Sequence, residues 1–420
     1  MANRELLPVS RLERRSYLGN LRIADLALAA YMICVTAFSS GSLPVQAARV
    51  FLVCSVIFEL TRRRYAPTKF EAWQILFTAF VAASSLWAFN EENANSIAST
   101  VLINAICMIS VVFLLRCDPR RIKLLLVCIS IAPILLMLNV VSTDGLMAFS
   151  ESRGTENFSA NTVGMTAAFG SCMAGFCFFE RQILARGLSI SIMMVDLSVV
   201  VLSASRKAIL MVLFAASVYI LLKSRGNGMR LLTRLAVALL FLLLGCFLIM
   251  NIPFLYDMVG YRMESMVAGF LGWGEPDAST STRMGLIEHG IEFFQMSPII
   301  GHGGANFSAL DAVYFHANAG YYAHNNFVEI LTDYGIVGFC LYYWMYAYLI
   351  FVTVKRIKRV SSFQLMILSL LITLLVMEYG FVSYYDRYFQ VFIAFAFCSL
   401  SVGSGNLIFK KKFPSVINYK

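Results

Sequence analysis

The sequence predicts an all-α, polytopic membrane protein, and three observations carry that prediction. Of its 420 residues, 59% are hydrophobic and only 14% charged, and the mean hydropathy is +0.73, more apolar material than a water-soluble core buries. The apolar residues fall in runs of roughly 16–22, long enough to cross a hydrocarbon layer of ~30 Å as helices. Lys and Arg cluster in the connections between those runs, as topogenic signals do.

In chain order the expected spans are 23–41, 44–60, 71–89, 97–115, 123–142, 161–179, 188–204, 208–222, 231–250, 325–354, 363–383 and 388–408. The start, MANRELLPVSRLERR, lacks a cleavable signal pattern, because its basic region is long and no small-residue cleavage site follows Ser39; the first span is expected to stay as a signal anchor. A tight turn around Gly41 to Pro44 joins the first two spans, and the tenth opens with a polar turn.

With about 12 transmembrane helices the connections alternate between two sides. One side holds all 34 basic residues except Arg49, Arg153, Arg206, Lys207, Arg262, Arg283 and Arg387. By the positive-inside rule that side is the cytoplasm, and both termini are cytoplasmic. The chain 1–420 therefore reads as a single integral membrane domain, with 251–324 as one large outer-face loop that carries an amphipathic helix. The net charge of +10 follows from this topogenic distribution and calls for no nucleic acid. The ten cysteines lie in or beside apolar runs without CxxC or Cys/His spacing, so they read as small core hydrophobes rather than disulfides or metal ligands.

The outer basic residues need a reason that topogenesis does not give, although Arg49 reads as an interfacial anchor. His302, His316 and His324 fall within Ser297–Phe339, and His289 lies just upstream. Imidazoles gathered in one loop of so apolar a chain point to chemistry. Ahead of that loop, STSTRMGLIEHGIEFFQMSP predicts an amphipathic helix capped near Ser281 or Thr282 and stopped by Pro298, with Met284, Ile287, Ile291 and Phe294 on one face. This helix either lies on the bilayer or holds Arg283 over a cavity as an anion clamp. GHGGANF lacks the lysine of a phosphate loop and follows no strand, so its glycines are expected to let the backbone turn sharply or approach a ligand.

In AHNNFVEIL, Asn326 with Glu329 fits a capping box. His324 and Asn325 then project ahead of a helix N-terminus, where negative charge is favoured. His324 is either an interfacial residue or a general base for a hydroxyl. ESRGTENFSANTVG carries Arg153, Asn157 and Asn161, while ASRKA puts Arg206 and Lys207 at a turn by the membrane surface. A guanidinium there either snorkels or meets an anion. YYDRYF sets Asp386 beside Arg387, a pair able to neutralise itself; Asp196 and Glu378 are ionisable exceptions inside spans. No acidic pair or His/Cys cluster suggests a metal, no cofactor is expected, and arginine forks match the oxygens of a pyrophosphate.

Four ordered pieces resemble the O-antigen ligase and polymerase superfamily of bacterial surface-polysaccharide enzymes: Arg153 with Asn161, SRKAIL, TRMGLIEHGIEFFQMSPIIGHGGANF and AHNNFVEILTDYGIVGF. The resemblance runs from about Arg153 to Arg387. It implies a multi-pass enzyme of the bacterial cytoplasmic (inner) membrane that transfers glycan from undecaprenyl pyrophosphate on the periplasmic or extracellular face, with no nucleotide sugar or required metal. It implies His324 as catalytic base and Arg206, Arg283 and Arg153 as donor-pyrophosphate ligands, with Asn325, Asn161, Arg262 and Arg387 supporting them. The NNFVE, DYGIVGF and YYDRYF runs look more like Wzy-type polymerases, which join lipid-linked repeat units, than ligases, which move finished glycan to lipid A core. The implied partners are the undecaprenyl-diphosphate-linked donor and acceptor, membrane lipid, and a chain-length regulator and flippase of the same pathway. The alternatives are an O-antigen ligase and, from another class, a transporter or flippase of lipid-linked sugars, which calls for broken helices and mid-membrane charge.

Overall fold

The computed structural model describes residues 21–62, 65–118, 120–145, 158–179, 184–223, 228–271, 278–316 and 321–399. Helices run α1 (Ile23–Ala37), α2 (Leu43–Leu60), α3 (Lys69–Ala83), α4 (Glu91–Cys117), α5 (Arg120–Asp144), α6 (Ala160–Phe179), α7 (Arg186–Leu202), α8 (Arg206–Leu222) and α9 (Gly228–Asn251). Then come α10 (Tyr261–Leu271), α11 (Ala278–Met296), α12 (Phe307–Tyr314), α13 (Asn326–Lys355), α14 (Ser362–Met377) and α15 (Arg387–Ser399). Every expected span carries a helix. Six of the described helices are long and apolar enough to cross a membrane: α2, α4, α5, α9, α13 and α14 with the turn that ends it. A helix as short as α1 or α3 reaches only about 22 Å at 1.5 Å per residue, below the hydrocarbon thickness.

The helix starts follow local chemistry. Thr68 accepts from the Phe70 amide while Glu71 accepts from the Thr68 amide, a capping box that starts α3. Asn90 accepts from the Asn93 amide to start α4, and Ser361 and Gln364 form a second box at α14. Such caps satisfy amides that have no partner within the helix. α6 lies in the middle of the bundle against α5, α7 and α8. Its small residues permit the approach, since a Cβ on Gly170 would meet Pro133 of α5 and Asp196 of α7. α9 instead exposes Leu232, Leu240, Leu243 and Phe247, an apolar surface suited to lipid.

The loop 251–324 is largely helical. α11 differs from the expected helix in start and phase. It begins at Ala278, so Arg283 falls in the second turn. Leu286 and Phe293 are the buried face, packed with Phe307, Leu310, Ala323 and Val328, whereas Met284 and Ile291 are 46% and 47% exposed. The expected stripe is out of phase because the point of closest approach is Gly290, where a Cβ would meet Val328 and Phe307. α11 is therefore docked on α13 rather than merely laid beside the bundle.

One buried ionic cluster ties the bundle together away from that loop. Arg121, 1% exposed, donates to Asp25 of α1 at 2.7 Å and Glu59 of α2 at 2.9 Å, and to the Leu114 carbonyl of α4 at 2.9 Å. A buried charge with its donors satisfied holds three elements in register, and losing one member strands the others. Arg121→Ala is expected to cost about 3–5 kcal/mol, read as a lowered unfolding midpoint in detergent. The triple variant Asp25→Asn, Glu59→Gln, Arg121→Met should recover most of it. An unchanged midpoint in the single variant would contradict this role.

Candidate active site

The site is built on a break in α13. Gly335 has a φ of +60° inside the helix, and into that break fits the 298–303 chain. His302 and Gly303 amides donate to the Thr332 and Asp333 carbonyls at 3.0 and 2.9 Å, while Ile336 and Val337 amides donate to Pro298 and Ile299 at 2.9 and 3.1 Å. The two backbones touch at two glycines. A Cβ on Gly301 would collide with the Asp333 backbone, and one on Gly335 with the Ile299 backbone; both residues hold positive φ as well. Only glycine meets both demands. The glycines of GHGGANF thus serve chain-to-chain approach.

Asp333 completes the interlock. Its carboxylate accepts from the Ala305, Asn306 and Phe307 amides at 2.8, 3.0 and 3.2 Å and so caps the start of α12. The same loop reaches α3 and α4: Asn306 accepts from the Asn90 amide at 2.7 Å, and the Phe89 amide donates to His302 O at 2.9 Å.

The start of α13 is capped one residue earlier than the capping-box reading. Asn325 is the cap, its side chain accepting from the Phe327 and Val328 amides at 3.0 and 3.2 Å. Glu329 reaches past it to accept from the Ala323 amide at 2.6 Å. Asn326 faces inward, accepts from the Ser383 and Tyr384 amides at 2.9 and 3.1 Å, and donates to the Tyr343 hydroxyl at 2.8 Å. The Tyr343 and Tyr346 hydroxyls and that of Ser383 all donate to Glu378. With both Asn326 and Glu329 engaged elsewhere, the chain before the helix folds back. His324 is left at a φ of +52°, a conformation that costs a non-glycine residue about 1 kcal/mol or more.

His324 is half-buried, with its ring 4.0 Å from that of Tyr322. Burial pushes its imidazole down to about 4, and the nearby Arg283 guanidinium and Lys207 ammonium push the same way. Three elements thus converge: α11 through Arg283, the start of α8 through Lys207, and the loop before α13. At α8, Ser205 is the cap and its hydroxyl donates to Asn161 of α6 at 2.8 Å. Arg206 is buried at the first helical position, and Lys207 donates to the Gly380 carbonyl.

The other expected residues are placed differently. Arg153 lies outside the described residues, as does the side chain of Arg262 on α10. Arg387 does not pair with Asp386, which accepts from the Tyr388 and Phe389 amides at the start of α15; Arg387 donates to the Phe38 carbonyl. His289 meets Asp311 at 2.6 Å and stacks on Phe315, and His302 Nε2 lies 2.8 Å from the Phe293 carbonyl. Sequence reasoning missed the part played by Lys207, which looked like a snorkelling neighbour of Arg206. It also missed Asn326 and Glu378 as the anchor of α13. The sequence presents Asn326 as the cap of the helix, whereas its partner lies 57 residues away.

Residues 190–343 match the family model described as O-Antigen ligase. Over that stretch the chain is similar to the O-antigen ligase family. The matched segment takes in α8, α11, the GHGG loop and the start of α13, and so contains Arg206, Lys207, Arg283 and His324; Asn161 and Arg387 lie outside it. No curated protein matches the chain. Among the described residues no group of His, Cys, Asp or Glu is arranged to hold a metal.

A buried imidazole with neighbouring cations titrates low, first because burial strips solvation from its protonated form and then because the cations oppose that form. In the substrate-free protein His324 is therefore expected to titrate near 4, and Lys207→Met to move that titration upward, toward the ordinary ~6.5. Nuclear magnetic resonance of histidine-labelled protein resolves this, since the chain has four histidines. A titration near 6.5 in the wild type would contradict the arrangement.

Proposed function

We propose that this protein is a membrane glycosyltransferase that polymerises undecaprenyl-diphosphate-linked oligosaccharide units on the outer face of the bacterial cytoplasmic membrane, with about twelve crossings and both termini inside. The observation that carries this is the neutral His324 imidazole beside Arg283 and Lys207, within the segment that matches the O-antigen ligase family.

In the proposed reaction His324 takes the proton from an acceptor sugar hydroxyl. The freed oxygen attacks the anomeric carbon of the donor glycan, the bond to the carrier breaks, and undecaprenyl pyrophosphate leaves with the electron pair. Direct displacement inverts the anomeric centre. Arg283, Arg206 and Lys207 hold the charge that develops on the leaving group, with Arg153 a further ligand. This couples base strength to binding. An imidazole that titrates near 4 is unprotonated but weak. A pyrophosphate anion against the same cations offsets their field, and the imidazole becomes a stronger base once the donor is bound.

The polymerase reading is supported by the turn that holds YYDRYF, which is hydrogen-bonded to Asn326 at the start of the His324 helix. The ligase reading is favoured by the description of the matching family. For a transporter, a broken helix at the membrane midplane with a cavity beside it would be expected; the break in α13 is instead filled by residues 298–303.

His324→Ala is expected to slow glycan transfer by about 10²–10⁴-fold while carrier lipid still binds; normal chain lengths in that variant would sink the base assignment. Arg206→Lys keeps the charge but loses the two-pronged donor, so a strong loss of activity is expected. In cells lacking the protein, single repeat units on lipid A core support polymerase, and intact long glycan left on carrier lipid supports ligase.

A further inference from the structure

A second set of arginines lies at the far end of the 381–387 turn, outside the matched segment. Arg387, at the first position of α15, donates through Nη2 to the Phe38 carbonyl at the end of α1. Its Nη1 is buried and has no partner among the described residues. Arg49 of α2 lies within electrostatic range of it, and Tyr31 feels both. Arg49 donates through Nη1 to Gln46 at 3.3 Å, while its Nε is likewise buried and unpartnered among the described residues. Neither guanidinium has a carboxylate at ion-pair distance among the described residues. Asp386, the nearest in sequence, accepts from two backbone amides, and its charge acts on Arg387 from there without an ion-pair contact. Arg49 stands roughly 9 Å along α2 from its start, deep enough that two facing like charges repel in poorly polarisable surroundings.

An apolar slot adjoins this pair. It holds about 380 Å³ and is lined by Ile33, Phe38, Leu135, Leu138, Asn139 and Ser142 of α1 and α5. Its polar residues gather at one end, where Asn139 donates to the Ala37 carbonyl at 2.8 Å, and Leu138 is exposed along it. Phe38 belongs to both features, as a wall of the slot and as acceptor of Arg387. Two guanidiniums with unused N–H groups beside an apolar slot match a pyrophosphate head on a hydrocarbon tail.

We infer that Arg49, Arg387 and the α1–α5 slot form a second binding site for a polyprenyl pyrophosphate lipid, one that holds the acceptor's carrier while the donor's lies at Arg206 and Arg283. The lipid's identity rests on the polymerase reading; the anion site does not. Three residues of chain, at most ~10 Å, separate Arg387 from Tyr384, which Asn326 grips. An oligosaccharide rooted at Arg387 thus lies on the same turn that anchors the His324 helix.

The test counts bound lipids by native mass spectrometry on full-length protein in nanodiscs loaded with undecaprenyl pyrophosphate. The wild type is expected to bind two. The variant Arg49→Gln with Arg387→Gln should bind one, the second affinity falling at least tenfold, and Arg206→Gln should lose the other. Leu138→Trp, which fills the slot and leaves both arginines, should weaken undecaprenyl pyrophosphate and not inorganic pyrophosphate. Two lipids retained by the double arginine variant would overturn the proposal. So would displacement of the second lipid by equal phosphatidylglycerol, or a Leu138→Trp protein that binds as the wild type does. The count needs no turnover. A wild type that binds two carriers yet forms no polymer from lipid-linked units would sink the polymerase reading alone.

Discussion

The close approach of two backbones, where Gly301 meets Asp333 and Gly335 meets Ile299, is the constraint on which the rest of the site depends. Four backbone hydrogen bonds across the break in α13 hold the 298–303 chain where the helix ladder would otherwise run. They pair the Thr332 and Asp333 carbonyls and the Ile336 and Val337 amides at the break, as low-polarity surroundings demand. Because α11 leads directly into that chain, the same interlock fixes α11 on α13 and brings Arg283 toward His324. A side chain at either glycine would push the backbones apart, and the arginine would move with them.

The second requirement is that His324 stay uncharged while surrounded by cations. Burial and the two positive neighbours together favour the neutral ring, and Glu329 is kept off it by the Ala323 amide. Asn326 and Glu378 supply rigidity from below. Their network of buried hydroxyls and amides fixes the first turn of α13 against the 381–387 turn. The positive φ at His324 persists because both flanks of the loop are held.

Much of this was legible in the sequence. Helix positions followed from apolar runs, since a membrane-sized helix leaves an unmistakable stretch of Leu, Ile, Val and Phe. The segment that matches the O-antigen ligase family, residues 190–343, lies within the stretch from about Arg153 to Arg387 that carries the resemblance. What failed were readings that depend on which side chain meets which distant partner. The α11 stripe was mis-phased because Gly290, with no side chain, is the point of closest packing. The cap of α13 was placed on Asn326 because Glu329 three residues on completes the pattern, yet each finds a partner outside the helix. Asp386 and Arg387 looked self-neutralising, and instead one caps a helix while the other crosses to α1.

The most direct test leaves every charged residue in place and breaks only the interlock. In Gly335→Ala, still folded by its unfolding midpoint, Arg283 is expected to draw away from His324. The histidine titration should then rise from about 4 toward ~6.5 as glycan transfer slows. A titration still near 4 with undiminished transfer would contradict the account.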